Sequence, residues 1–170
     1  MIEVEIEDDA WNTDLPDVET LVVKAAEAAM AAHFSAHLRS GGGEMQITVL
    51  LTDDETVKAL NGQFRGKPVP TNVLSFPAPA TAAPHLGDIA LAYGVCAREA
   101  QAQEKSLAHH LLHLTTHGVL HLLGYDHETD ADAEVMEALE RDILAGLGVP
   151  DPYAAEHCDT HAPDEADVPL

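Results

Sequence analysis

The chain has 170 residues, 30 acids against 8 bases and a formal net charge of −22. That length suits one domain with a single filled core, and the charge opposes any partner built of phosphates unless a local cation patch or a metal ion meets it. Two cysteines, Cys96 and Cys158, imply neither a disulfide framework nor a cysteine-rich zinc module, and with no basic-then-apolar leader the chain is expected to be soluble and cytoplasmic.

Ile2, Val4 and Ile6 alternate with Glu3, Glu5 and Glu7, the period of a half-buried strand. Pro16 suits a helix start, and the alanine- and leucine-rich run from Asp17 to Leu38 predicts one long helix that Gly41-Gly42-Gly43 ends. Met45 to Leu51 predicts a buried strand, and Thr52 with Glu55 forms a capping box for a short helix ending near Asn61-Gly62. Val73 to Phe76 and Gly87 to Ala92 are two further strands, joined by a proline-rich stretch expected to be a mobile surface loop. Pro68 to Gly87 is uncharged, but its five prolines exclude a membrane helix. Helical sequence follows over Val95 to Gln103, Leu107 to Leu123 and Ala131 to Leu144, with Gly146 and Gly148 closing the last.

Strands in the first half and helices in the second predict an α+β domain over residues 1–150, a small mixed sheet packed against several helices. Residues 151–170 hold six acids and no base, lack apolar periodicity and are expected to form a flexible acidic tail; a net charge of −16 remains without them.

The most specific pattern is His117-Gly118-Val119-Leu120-His121-Leu122-Leu123-Gly124-Tyr125-Asp126-His127. Histidines four apart on a helix point the same way, and a glycine three residues later lets the backbone turn and bring a third imidazole back. Three imidazoles at one point make a site for zinc or a similar borderline-soft ion, with a fourth position open to water. The metal site is thus expected on a helix and the loop that follows it. The spacing is that of metzincin peptidases, but Gly118 stands where those enzymes carry the glutamate base. His113 is assigned a supporting or structural place, and His109 and His110 solvent-facing or helix-start positions. Asp126 reads as a turn residue, and Asp88 as an anchor at the sheet edge. In so acidic a chain Phe64-Arg65-Gly66-Lys67 is a basic island whose guanidinium fork matches phosphate oxygens.

Leu60-Asn61 with Phe64-Arg65-Gly66-Lys67, Pro70-Thr71-Asn72-Val73-Leu74-Ser75-Phe76, Leu86-Gly87-Asp88-Ile89 and the histidine motif together resemble the bacterial YbeY endoribonucleases, also described as rRNA maturation factors. Phe64 departs from the tyrosine usual in that family before the arginine. The resemblance implies an α+β fold, a zinc-type ion (Zn2+, with Ni2+ or another divalent ion in vitro) on His117, His121 and His127, and a functional role for Arg65. It also implies cleavage of single-stranded RNA, maturation of the 3′ end of small-subunit 16S rRNA, ribosome quality control and contact with small-subunit proteins. Two other readings stand beside it: a ribosome-assembly factor whose metal is structural, with His113 or Asp126 as a fourth ligand, and a metzincin-like peptidase.

Overall fold

The protein is described by a computed structural model covering residues 2–37, 45–82 and 84–153. Cys158, the three-glycine run and the acidic tail beyond residue 153 lie outside the described residues. In chain order the elements are β1 (Ile2–Ile6), α1 (Asp9–Asp14), α2 (Val18–His37), β2 (Gln46–Thr52), α3 (Asp54–Arg65), β3 (Val73–Pro77), a 3-10 turn (Ala80–Ala82), β4 (His85–Ala92), α4 (Tyr93–Ala102), α5 (Leu107–Leu122) and α6 (Asp130–Gly146).

The strands form one sheet in the order β1-β2-β4-β3. β1, β2 and β4 run parallel and β3 antiparallel, so the sheet is mixed as expected. Register follows from side-chain alternation. Ile2, Val4 and Ile6 pair with Ile47, Val49 and Leu51, and these with Gly87, Ile89 and Leu91, so one face is almost wholly aliphatic. That face packs on Val22, Ala26 and Ala29 of α2 and on Leu111, Leu114, Val119 and Leu120 of α5. Burying one such side chain is worth roughly 1.5–3 kcal/mol, and a slip of one residue would expose the whole set. On the other face Leu74, Ala90 and Ala92 pack with Val57 of α3, while Glu3 and Glu5 of β1 stay exposed. Among the described residues, helices therefore cover that face over β3 and β4 only.

One element went unread in the sequence and three expectations need correction. Trp11, fully buried and donating from Nε1 to the Thr52 carbonyl at 3.0 Å, sits on the short helix α1, which six residues are too few to announce by period. The cap of α3 is Asp53, whose Oδ1 accepts from the Thr56 N–H at 2.8 Å; Thr52 is buried and donates to Glu7. That helix also passes Asn61-Gly62 and ends at Arg65, because the Asn61 side chain is turned to the Val69 carbonyl (2.9 Å) instead of breaking the helix. Asp88 stands on β4, an interior strand flanked by β2 and β3, so it anchors no edge.

Candidate metal centre

Helix α5 starts on a Ser106 cap, whose Oγ accepts from the His109 N–H, and runs under the sheet toward β3. Gly118 lets it come close. A Cβ there would lie 3.1 Å from Ile89 Cδ1 and 3.2 Å from Ser75 Oγ, and that hydroxyl donates to the Gly118 carbonyl at 3.2 Å. The position that carries a general base in metzincin spacing is thus turned into the sheet, where a glutamate has no room. Four residues further on, at Leu122, the helix ends in a Schellman arrangement: Tyr125 N–H donates to the Leu120 carbonyl and Gly124 N–H to the His121 carbonyl, both at 3.0 Å. Gly124 takes the positive φ (105°) that this ending demands. The Tyr125 hydroxyl meets His33 Nδ1 of α2 at 3.0 Å and ties the loop down. Asp126 Oδ1 accepts from the Glu128 N–H at 3.3 Å, the turn role expected of it, and Thr129 then caps α6.

The result brings His117, His121 and His127 together. One ligand atom from each can be chosen so that all lie within 4.8 Å of one another, and ring centroids are 4.6 Å apart for His117–His121, 5.2 Å for His121–His127 and 5.7 Å for His117–His127. His117 and His121 are half-buried and His127 exposed, so the group opens outward on one side. A divalent ion fits this set by chemistry as well as by spacing. His121 Nε2 is buried without a hydrogen-bond partner, the state of a lone pair awaiting a cation. Burial first, then the neighbouring His117 and His127, pushes the His121 pKa down to about 4, which keeps the imidazole neutral and able to ligate near neutral pH.

Sequence reasoning missed Glu140. It is fully buried on α6, with Oε2 2.6 Å from His117 Nδ1, Oε1 3.2 Å from His113 Nε2, and the Tyr153 hydroxyl donating to Oε1. A carboxylate only accepts, so the proton sits on His117 Nδ1 and Nε2 is left for the ion, the usual carboxylate–histidine–metal relay. Burial works to raise the Glu140 carboxyl, and hydrogen bonds from the two histidines outweigh it, holding it well below the usual carboxylate range. His113 shifts down as well, because its own burial exceeds the pull of Glu140; the pair is ionised carboxylate and neutral imidazole. The signal was available: Glu140 lies on the stripe Met136, Glu140, Ile143, Leu144, an acid on an otherwise apolar face. His113 takes the supporting place expected of it. His110 does not face solvent: it is buried, with Nε2 2.8 Å from Glu99 Oε1, and Asn72 Nδ2 donates to the same oxygen at 2.9 Å.

Arg65 does not line the histidine group but reaches the strand beside it. Asn72 and Ala78 bond across to Ala92 and Leu86, so by alternation the backbone groups of Ser75 point away from β4, along the outer edge of the sheet. Arg65 Nη2 donates to the Ser75 carbonyl at 2.9 Å, and Ser75 in turn bonds Gly118, next to His117. One strand thus stands between the guanidinium and the imidazoles. Cys96 offers no rival nucleophile, since burial pushes its thiol well up.

A family model described as "Endoribonuclease YbeY" matches residues 3–148. Proteins of that name from Rhodopseudomonas palustris (strain HaA2) and Bradyrhizobium sp. (strain BTAi1) are each 51% identical to this chain, over 163 and 160 residues; the alignments cover 89% of this chain, and 80% and 91% of those proteins. A Thermotoga maritima protein solved in solution is similar in fold, with a TM-score of 0.55 and 25% identity over 87% of this chain and 92% of its own.

Proposed function

The chain belongs to the YbeY endoribonuclease family, and from that premise we propose that it hydrolyses single-stranded RNA at a divalent ion held by His117, His121 and His127, with Arg65 acting on the phosphate. The observation that carries this reading is the convergence of three imidazoles around a buried, partnerless nitrogen. A divalent ion there, zinc by preference for imidazole donors and nickel or a similar ion in vitro, supplies Lewis acidity to a phosphoryl oxygen and acidifies water. Glu140 holds the His117 ring in place and fixes its tautomer. Arg65, anchored by one nitrogen to Ser75, keeps further N–H donors for the charge that builds on a phosphodiester. In the cell the substrate is the 3′ end of small-subunit rRNA in the cytoplasm, during ribosome maturation and quality control and in contact with small-subunit proteins; family membership supports this part.

Two observations count against the other readings. A structural zinc takes four protein ligands, whereas here His113 is turned to Glu140 and Asp126 to a backbone amide. The peptidase base has no room at Gly118. Among the described residues no helix is long and apolar enough to cross a membrane. The test is an assay of purified, metal-analysed protein on single-stranded RNA, duplex RNA and casein. Cleavage of the single strand alone, lost on chelation and regained with zinc, is expected; full cleavage after chelation, or attack on casein, contradicts the reading.

A further inference from the structure

On the face of the sheet opposite α5, the incomplete helical cover leaves a groove of about 730 Å³. Leu50, Leu60, Phe64 and Phe76 form its apolar walls; Thr48 and Asp88 add polar atoms, and Arg65 stands at its rim. Phe64 is 60% exposed, which is unusual for so large a ring in a small domain, and it meets Phe76 edge-on with centroids 5.4 Å apart. The Arg65 guanidinium lies over the Phe76 ring at 6.0 Å. Lys58, Arg65 and Lys67, three of the chain's eight cations, fall within ten residues on α3 and just after it, all exposed.

We propose that this groove holds an unstacked base of the RNA strand, close to the cleaved phosphodiester, stacked against Phe64 and Phe76, with Asp88 favouring guanine over uracil. This rests on the nuclease reading of the histidine group and extends it to substrate choice. The occupant follows from three features together. An exposed aromatic ring beside a half-buried one, flanked by a guanidinium, is a sequence-tolerant platform for nucleobases. The cations cluster here in a chain of net charge −22, so a polyanion is drawn to this place and repelled from most others. The groove and the histidine side are also linked by hydrogen bonds, Arg65 to the Ser75 carbonyl and the Ser75 hydroxyl to the Gly118 carbonyl, so an RNA strand crossing the outer edge of β3 can present a phosphate on one side and a base on the other.

Asp88 supplies the choice of base. Asp88 lines the groove with its side chain 55% exposed, and its Oδ1 is 3.1 Å from His85 Nε2, which leaves Oδ2 as an acceptor for a ligand. A carboxylate accepts and cannot donate. Guanine offers it two adjacent N–H donors, whereas the single N–H of uracil lies between two carbonyl oxygens that repel it.

The experiment uses the full chain and a short single-stranded RNA carrying 2-aminopurine, an abasic residue, guanine or uracil at successive positions, with fluorescence and binding read in stopped flow before cleavage sets in. Expected are quenching of 2-aminopurine fluorescence at one position near the cleavage site, binding about tenfold weaker with the abasic residue there, and tighter binding of guanine than of uracil. Phe64→Leu, which keeps an apolar wall, loses the quench and the abasic penalty; Phe64→Tyr keeps both. Asp88→Asn levels guanine and uracil. RNA binding indifferent to Phe64 and to the abasic residue overturns the proposal, and is the result to expect if the groove serves a protein instead. Cleavage of unmodified RNA is measured alongside: cleavage with no positional quench defeats the groove alone, whereas quench and base preference without cleavage defeat the nuclease reading and leave the base site standing.

Discussion

On the sheet face that meets α5, Ile47, Val49, Leu51, Ile89 and Leu91 are all at most 1% exposed, while on the opposite face Thr48 and Leu50 are half-buried and Asp88 is open to solvent. The first face ends in a group whose polar atoms are tightly engaged: Glu140 binds His113, His117 and Tyr153, and the loop carrying His127 is tied to α2 through Tyr125. The second ends in an exposed phenylalanine and an arginine held by one hydrogen bond and a ring contact. An ion needs ligands held in place before it arrives, which only a filled core supplies. A flexible strand of varied sequence needs a surface that accepts many shapes, which a filled core forbids. β3 separates the two, and Ser75 touches both sides.

That contrast is broken most directly at the buried side. His121→Ala is expected to lose bound zinc and all cleavage, measured by metal analysis and RNA assay; a variant that keeps both shows that the imidazoles hold no working ion. Arg65→Ala sharpens the division, since it should lower kcat by about 10²–10³ with metal content unchanged. Loss of the ion as well would mean that the two sides are not separate. Glu140→Gln keeps the shape but not the charge, so chelator competition should show zinc affinity roughly 10- to 100-fold weaker. Unchanged affinity would remove Glu140 from the site.

A smaller effect concerns how β3 is seated. Burial works to raise the Glu99 carboxyl, and the hydrogen bonds from His110 and Asn72 outweigh it, leaving it below its ordinary 4.5. A carboxyl whose pKa is lower in the folded chain stabilises the fold above the unfolded value, and that contribution is lost as pH falls below about 4.5 toward the folded one. Glu99→Gln should therefore be less stable than the parent in urea at pH 7, with a gap that narrows as the pH is lowered through 4. A gap that widens on acidification contradicts the assignment.

Much of this was legible in the residues. The histidine triplet and Gly124 specify direction and turn by spacing alone, and the alternation of β1 and β2 survives in the register. What was not legible depended on tertiary partners. Glu140 comes from another helix, and nothing local to it names His117. His110 does lie at the start of α5, but nothing local to it announces that it is buried against Glu99 of α4, whose carboxylate Asn72, just before β3, also meets. Asn61-Gly62 looked like a stop, and the helix passes through because the asparagine amide finds Val69 in the following loop. Gly118 was noticed only as a missing glutamate, whereas contact with Ile89 and Ser75 gives its reason.

The most direct test of the histidine group is a titration of zinc into chelator-stripped protein, with cleavage of an end-labelled single-stranded RNA followed at each addition. The account predicts no cleavage in the stripped protein and activity that rises in proportion to added zinc, levelling at one ion per chain. Full activity before any zinc is added, or a plateau at a different stoichiometry, contradicts it.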